Sequence, residues 1–320
     1  MISPRFLSPA LAAAFTAVSA AAALNMLAIS MMPISASHAQ GAEAAQVTAP
    51  EPGQPVIRDG EAIGFMGDSI TQAGAASPSG YVQLVISGLK ANGINVKSYP
   101  AGTSGNKSDQ MLGRLKGLLD KKPTWITLSC GVNDVWHGPK GIPLDQYKEN
   151  ITKFVDQCQA AGVKVMILTA TMIMESQDGK LNNELVPYND FLRTLAKEKK
   201  CLLADLNADM QKEVAELKAA GLQGNTVTGD GVHMNPAGNL MMAKGVLRAF
   251  GLNDEQMKKA MDHWLDIPHA CEVKAGITLR EYLAIQDAAA KAKKSTGQVL
   301  NKSVKVKLDV GDEKADKAEK

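Results

Sequence analysis

A serine, a histidine and an aspartate are the residues of this chain whose settings could carry chemistry. Ser69 stands in Gly67-Asp68-Ser69-Ile70-Thr71, a polar turn at the end of the apolar run Ala62-Ile63-Gly64-Phe65-Met66. A serine just beyond a buried strand presents its hydroxyl at the rim of a sheet, where a nucleophile is useful. The same five residues also suit a plain strand-to-helix turn with Ser69 or Thr71 as N-cap, and the turn alone does not separate the two readings. Acyl transfer from an ester further needs a base, a group to orient it, and donors aimed at the oxyanion. Gly229-Asp230-Gly231-Val232-His233-Met234-Asn235-Pro236 offers the first two. An Asp and a His three apart, in a glycine-containing loop before a helix, can set the carboxylate on one imidazole nitrogen and leave the other free to face Ser69. By itself Asp-x-x-His serves as often as a helix cap or a metal-ligand pair. Only five histidines occur, and His233 is the one in a tight polar loop late in the chain. His137, three residues after Asp134, is expected to line the pocket rather than act as base. The backbone N–H of Ser69, that of Gly102, and the side-chain amide of Asn133 would supply the oxyanion donors. Standing alone, Asn133 would equally cap the turn that follows it.

These residues need a scaffold that gathers them. Short β-rich apolar runs at 61–66, 94–99, 124–130, 163–169 and 201–206 alternate with helical patterns at 80–91, 109–119, 144–161, 186–199 and 236–250. Five strands alternating with helices imply right-handed crossovers and a parallel sheet covered on both faces. In such a sheet the ligand crevice lies beyond the C-terminal strand ends, where the strand order reverses. Ser69 follows the first run, Pro100-Ala101-Gly102 the second and Gly131-Val132-Asn133-Asp134 the third, so all three fall on one rim. Two more amphipathic helices, 254–265 and 278–291, read as a helical C-terminal extension.

Taken together, Gly67-Asp68-Ser69-Ile70, Gly102 in its short loop, Gly131-Val132-Asn133-Asp134 and Asp230-Gly231-Val232-His233 resemble the four signature blocks of the SGNH hydrolases, or GDSL-type esterases and lipases, in the family's order. Ile70 replaces a common Leu in the first block, a conservative apolar change. The resemblance implies a flavodoxin-like three-layer α/β sandwich with a mainly parallel five-stranded sheet. It also implies Ser69 as nucleophile, His233 as base, Asp230 as its orienter, and Ser69, Gly102 and Asn133 as oxyanion donors. Asp68, Asp134, Trp136 and His137 are expected to support or line the site. No metal or organic cofactor is implied.

The ends and the composition bound the rest. With 320 residues, 45% hydrophobic and 21% charged, the chain lies in the globular range. Residues 1–39 read as an export signal: one early charge, Arg5, an Ala/Leu/Met-rich stretch, and small residues around Ser37-His38-Ala39. The apolar stretch approaches the ~20 residues that span a bilayer, so an uncleaved anchor is the competing reading. Otherwise no membrane span is expected. Residues 40–56 read as a linker, 57–252 as the hydrolase domain, 253–292 as the helical extension and 293–320 as a charged, disordered tail. Residues 40–290 carry 25 basic against 28 acidic side chains, a weakly acidic body that argues against nucleic acid as partner. Cys130, Cys158, Cys201 and Cys271 would form at most one disulfide. The functional expectation is an exported serine esterase that deacetylates carbohydrate or another small polar alcohol ester, with Trp136 and His137 suited to stacking on a sugar-like alcohol. A lysophospholipase or other lipid esterase is the second reading. An acyltransferase or a non-catalytic binding protein on the same fold remains the alternative of a different class.

Overall fold

The computed structural model describes residues 46–267 apart from Thr48, with a few positions between 280 and 291. The expected signal, the charged tail and most positions of the second extension helix lie outside the described residues. Five strands form one sheet: β1 (Ala62–Gly67), β2 (Lys97–Gly102), β3 (Trp125–Ser129), β4 (Lys164–Leu168) and β5 (Leu202–Ala204). Their order is β2-β1-β3-β4-β5, and every pairing is parallel. The expectation of a mainly parallel sheet therefore becomes an all-parallel one. The order reverses between β1 and β3, which places the crevice at the C-terminal ends of those two strands.

Alternation along each central strand feeds two apolar layers. Ile63 and Phe65 of β1, Trp125 of β3, and Met166 and Leu168 of β4 face one layer. There they meet α2 (Tyr81–Ala91), α7 (Leu206–Ala219), α8 (Pro236–Ala249) and α9 (Asp254–Leu265). Met66, Ile126, Leu128, Val165 and Ile167 face the other layer. It is covered by α3 (Ser108–Leu119), α5 (Leu144–Ala160) and α6 (Lys180–Glu198). Both faces being covered, β1 and β3 are buried along their whole length, as a parallel sheet requires. α9 is fastened to α2 by Trp264, whose indole N–H donates to the Leu84 carbonyl at 3.0 Å. In the stretch expected to be linker, the backbone N–H groups of Val47, Gly53 and Val56 donate to the carbonyls of Lys200, Gly251 and Phe250. Cys130, Cys158 and Cys201 are free thiols.

Several boundaries differ from the sequence reading. β2 begins three residues later than expected because its partner β1 decides the register, Ala62 opposite Lys97 through Gly67 opposite Gly102. Gly102 is consequently the last residue of a strand, not part of a loop beyond it. Pro100 is tolerated because β2 is an edge strand. α6 starts six residues before the expected position and runs through Pro187, although a proline removes an interior helix hydrogen bond. Three further helices fall outside the expected helical ranges: α1 (Ser69–Ala76), whose start was one reading of the Ser69 turn, α4 (Val132–Trp136) and α7. α1 and α4 are short and begin inside glycine-bearing motifs that look like loops. Phe65 lies on β1, between β2 and β3, and is fully buried. Phe65→Ala is expected to lower the unfolding free energy by about 3–5 kcal/mol, measured by urea denaturation.

Candidate active site

The site assembles from three strand ends and one late loop. β1 stops at Gly67, and Asp68 caps α1 with its carboxylate, Oδ1 accepting from the Ile70 N–H at 2.9 Å. The cap is thus Asp68, not Ser69 or Thr71. Ser69 becomes the first helical residue, half-buried, with its backbone N–H among those that α1 leaves without an intrahelical partner. Its Oγ lies 2.8 Å from Nε2 of His233. Nδ1 of His233 lies 2.6 Å from Oδ2 of Asp230, and Oδ1 of Asp230 accepts the backbone N–H groups of Val232 and His233 at 2.9 and 2.8 Å. Although desolvation pushes the other way, the bonds from the His233 ring and backbone hold the Asp230 carboxyl down at about 2. An ionised Asp230 accepts a hydrogen bond from Nδ1–H, which leaves the Nε2 lone pair for the Ser69 hydroxyl. Hydroxyl, imidazole and carboxylate in this order can draw a proton from Ser69 and return it to a leaving group.

Backbone geometry makes the late loop. Gly231 has φ +97, a left-handed conformation that glycine adopts without strain. It lets the chain double back so that Gly229 N–H donates to the His233 carbonyl at 2.8 Å. Asn235 then caps α8 through its side-chain oxygen on the Gly238 N–H. A buried relay joins this loop to α1. The Thr71 hydroxyl pairs with the Tyr81 hydroxyl at 2.8 Å, Tyr81 N–H donates to Asn239 Oδ1 at 2.9 Å, and Asn239 Nδ2 donates to the Met234 and Asn235 carbonyls. Neither Tyr81 nor Asn239 stood out in the sequence, where both read as ordinary helix-start residues.

Gly102 sits against the first turn of α1. A Cβ there would lie 2.2 Å from the Gln72 nitrogen, so the β2 end approaches Ser69's helix only because position 102 has no side chain. Asn133, buried in α4, donates from Nδ2 to Asp68 Oδ2 and to the Asn106 carbonyl, each at 3.2 Å. Arg114 of α3 ties the rim together: its guanidinium donates to Asn106 Oδ1 at 2.8 Å, to the Ala101 carbonyl at 2.6 Å and to the Gly67 carbonyl at 2.7 Å. Nothing in the sequence distinguishes Arg114 from a solvated helix charge. Asp134 is buried beneath the rim, its Oδ1 accepting from the N–H of Ser108, the first residue of α3, at 3.0 Å. Trp136 is half-buried at the end of α4, and His137 is the exposed residue that caps it. The imidazole at Ser69 belongs to His233.

Asp68 is 2% exposed. Burial pushes its carboxyl up to about 6, against the pull of the Ile70 N–H and of a charged His233. Burial also raises the Asp134 carboxyl. A raised carboxyl holds its proton in the folded chain at pH values where the unfolded chain, near 3.9, has lost it. Stability therefore falls as pH rises from about 4 to about 6, by roughly 3 kcal/mol from Asp68. Asp230 acts with the opposite sign in a lower window: its contribution is present above about 4 and lost as pH falls towards 2. Asp68→Asn should flatten the upper decline, leaving the part due to Asp134. Urea unfolding across a pH series checks this, and a slope equal to that of the unaltered protein would show that Asp68 is not the titrating group.

Residues 65–240, more than half of the chain, match the GDSL-like Lipase/Acylhydrolase family. The chain is 26% identical over 215 residues to an acetylxylan esterase of Geobacillus stearothermophilus, an alignment covering 61% of this chain and 96% of the relative. The crystal structure of a catalytic mutant of that esterase, in which a serine is replaced by alanine, resembles this fold with a TM-score of 0.55 at 25% identity. That match covers 62% of this chain and 97% of the other. The acetyl xylan esterase AlAXEase is 30% identical with a TM-score of 0.55, covering 59% of this chain and 98% of its own. An uncharacterized lipoprotein of Bacillus subtilis is 23% identical over 179 residues, 48% of this chain and 72% of the relative. With these signature residues on one sheet rim and the family match spanning all of them, the chain belongs to the GDSL-like lipase/acylhydrolase family and is an ester hydrolase.

Proposed function

We propose that this protein is an exported serine esterase that removes acetyl groups from carbohydrate, working through an acyl-enzyme. The observation that carries the reading is the pair of hydrogen bonds linking Ser69 Oγ to His233 Nε2 at 2.8 Å and His233 Nδ1 to Asp230 at 2.6 Å. Ser69 attacks the acetyl carbon while His233 takes its proton, and Asp230 stabilises the imidazolium that forms. The oxyanion is received by the N–H groups of Ser69 and Gly102 and by the Asn133 amide, which exchanges one of its two long hydrogen bonds for it. Collapse of the tetrahedral adduct breaks the bond to the sugar oxygen, and His233 delivers its proton there. Water, deprotonated by His233, then attacks the acetyl-Ser69 ester and releases acetate. Asp68 supports the site by capping α1 behind Ser69, and the helix N-terminus favours the developing negative charge.

Support for the substrate comes from the names of the relatives, two of them acetylxylan esterases. Trp136 and His137 stand at the same end of α4 and are suited to stack on a sugar ring. Export is supported by the leader-like residues 1–39 and by a lipoprotein among the relatives. Among the described residues no helix is long and apolar enough to cross a membrane.

The purified protein is expected to hydrolyse p-nitrophenyl acetate and to release acetate from acetylated xylo-oligosaccharides. Ser69→Ala or His233→Ala should lower kcat/KM about 10³-fold or more. A chain-length series decides the substrate class: a preference for octanoate over acetate would replace the carbohydrate reading with a lipid esterase. Faster transfer to a sugar acceptor than to water would make the protein an acyltransferase. Equal rates for the Ser69→Ala and unaltered proteins would overturn the assignment of the nucleophile.

A further inference from the structure

Behind the loop that carries Asp230 and His233 lies a buried carboxylate to which the proposed chemistry assigns no role. Glu175 follows β4 in the segment leading to α6 and is 1% exposed. Met174 and Glu175 are consecutive non-glycine residues with φ +64 and +43, a conformation that persists only where surrounding contacts impose it. The contacts are explicit. Glu175 Oε2 accepts the N–H and the hydroxyl of Thr226 at 2.7 and 2.9 Å. Oε1 accepts the Val227 N–H at 3.1 Å, and the N–H and hydroxyl of Thr228 at 2.7 and 2.5 Å. Burial opposes the charge, yet these five donors hold the carboxyl below the usual range.

The carboxylate is connected directly to the reacting loop. Thr228 Oγ, which donates to Glu175, accepts the Gly231 N–H at 3.1 Å. The Gly231 carbonyl in turn accepts the Met174 N–H at 2.7 Å. Gly231, flanked by Asp230 and Val232, is therefore held at its carbonyl by Met174, beside Glu175, and at its N–H by the Thr228 hydroxyl that Glu175 holds. A Cβ on Gly231 would lie 2.7 Å from the Met174 sulfur, so the two segments touch. Lys218 closes the far side, its Nζ donating to the Glu175 carbonyl at 2.8 Å.

We propose that Glu175 is a positioning residue for ester hydrolysis: its carboxylate holds Thr226–Thr228 and, through the Thr228 hydroxyl, Gly231, so that Asp230 and His233 face Ser69 before substrate arrives. This rests on the reading of His233 as the base. A residue that merely filled space would not need a charge answered by five donors, nor a link to Gly231.

The test compares the unaltered protein with Glu175→Gln, Thr228→Val and Thr228→Ser on p-nitrophenyl acetate. Glu175→Gln turns an amide N–H₂ towards N–H and hydroxyl donors, and should lower kcat about 10- to 100-fold with KM changed less than about threefold. Thr228→Val keeps the backbone bond to Glu175 and loses only the hydroxyl, so it is the milder probe and should lower kcat about tenfold. Thr228→Ser restores the hydroxyl and should restore the rate. The second readout is the far-downfield proton NMR signal of the His233 Nδ1–H bonded to Asp230. It should broaden or move upfield in Glu175→Gln and Thr228→Val and persist in Thr228→Ser. If Glu175→Gln fails to fold, Thr228→Val and its serine counterpart decide alone. An unchanged kcat and an unchanged signal in folded Thr228→Val would overturn the proposal, as would a loss of rate that only tracks the folded fraction. If the unaltered protein hydrolyses no ester, or Ser69→Ala keeps the full rate, the functional reading fails separately, and the NMR signal still reports whether Glu175 holds the loop.

Discussion

The hydrogen bond from Ser69 to His233 joins residues 164 positions apart, and most of the polar interior is arranged so that this bond can exist. Ser69 depends on β1 ending at the sheet's reversal point, with α1 starting at once under the Asp68 cap. His233 depends on a loop with almost no regular structure of its own beyond one antiparallel bridge, Thr228 to Met234. Such a loop would sample many conformations unless side chains held it. Two sets of bonds do so from opposite sides: Thr71–Tyr81–Asn239 ties it to α1 and α2, and Glu175 ties it to the segment after β4.

The electrostatics follow from the same constraint. Asp68, Asp134 and Glu175 are carboxylates within a few per cent of full burial, and an ion taken out of water without partners is costly. The fold answers two of them with helix-start N–H groups, Ile70 of α1 for Asp68 and Ser108 of α3 for Asp134, and the third with the amides and hydroxyls of Thr226–Thr228. Arg114 adds one cation on the rim, spent on main-chain carbonyls at the ends of β1 and β2. These bonds fix backbone positions around the place where charge would develop, which is the arrangement electrostatic catalysis requires.

Much of this was legible in one dimension. The apolar runs marked β1, β3, β4 and β5 because strands covered on both faces demand nearly continuous apolar residues. The Ser69, Gly102, Asn133 and Asp230/His233 motifs were each ambiguous alone and became legible as a set through their resemblance to four family blocks in order. The β2 register was not legible, since Ile94 and Val96 are apolar yet lie before the strand, packed against the core. The α1 and α4 helices were hidden by the glycine-bearing motifs in which they start.

What the sequence by itself determined is the set of candidate groups for the site, the alternation of strands and helices, and the rim on which three of the four motifs fall. Residue type and local periodicity carry those facts without reference to distant contacts. Tertiary structure alone decided that Arg114 binds the ends of β1 and β2, that Asn239 ties the late loop to Tyr81, and that Glu175 bonds to that loop. Those roles arise from hydrogen bonds between residues tens to more than a hundred positions apart. A buried glutamate and a solvated one are the same letter until the fold removes the water around one of them.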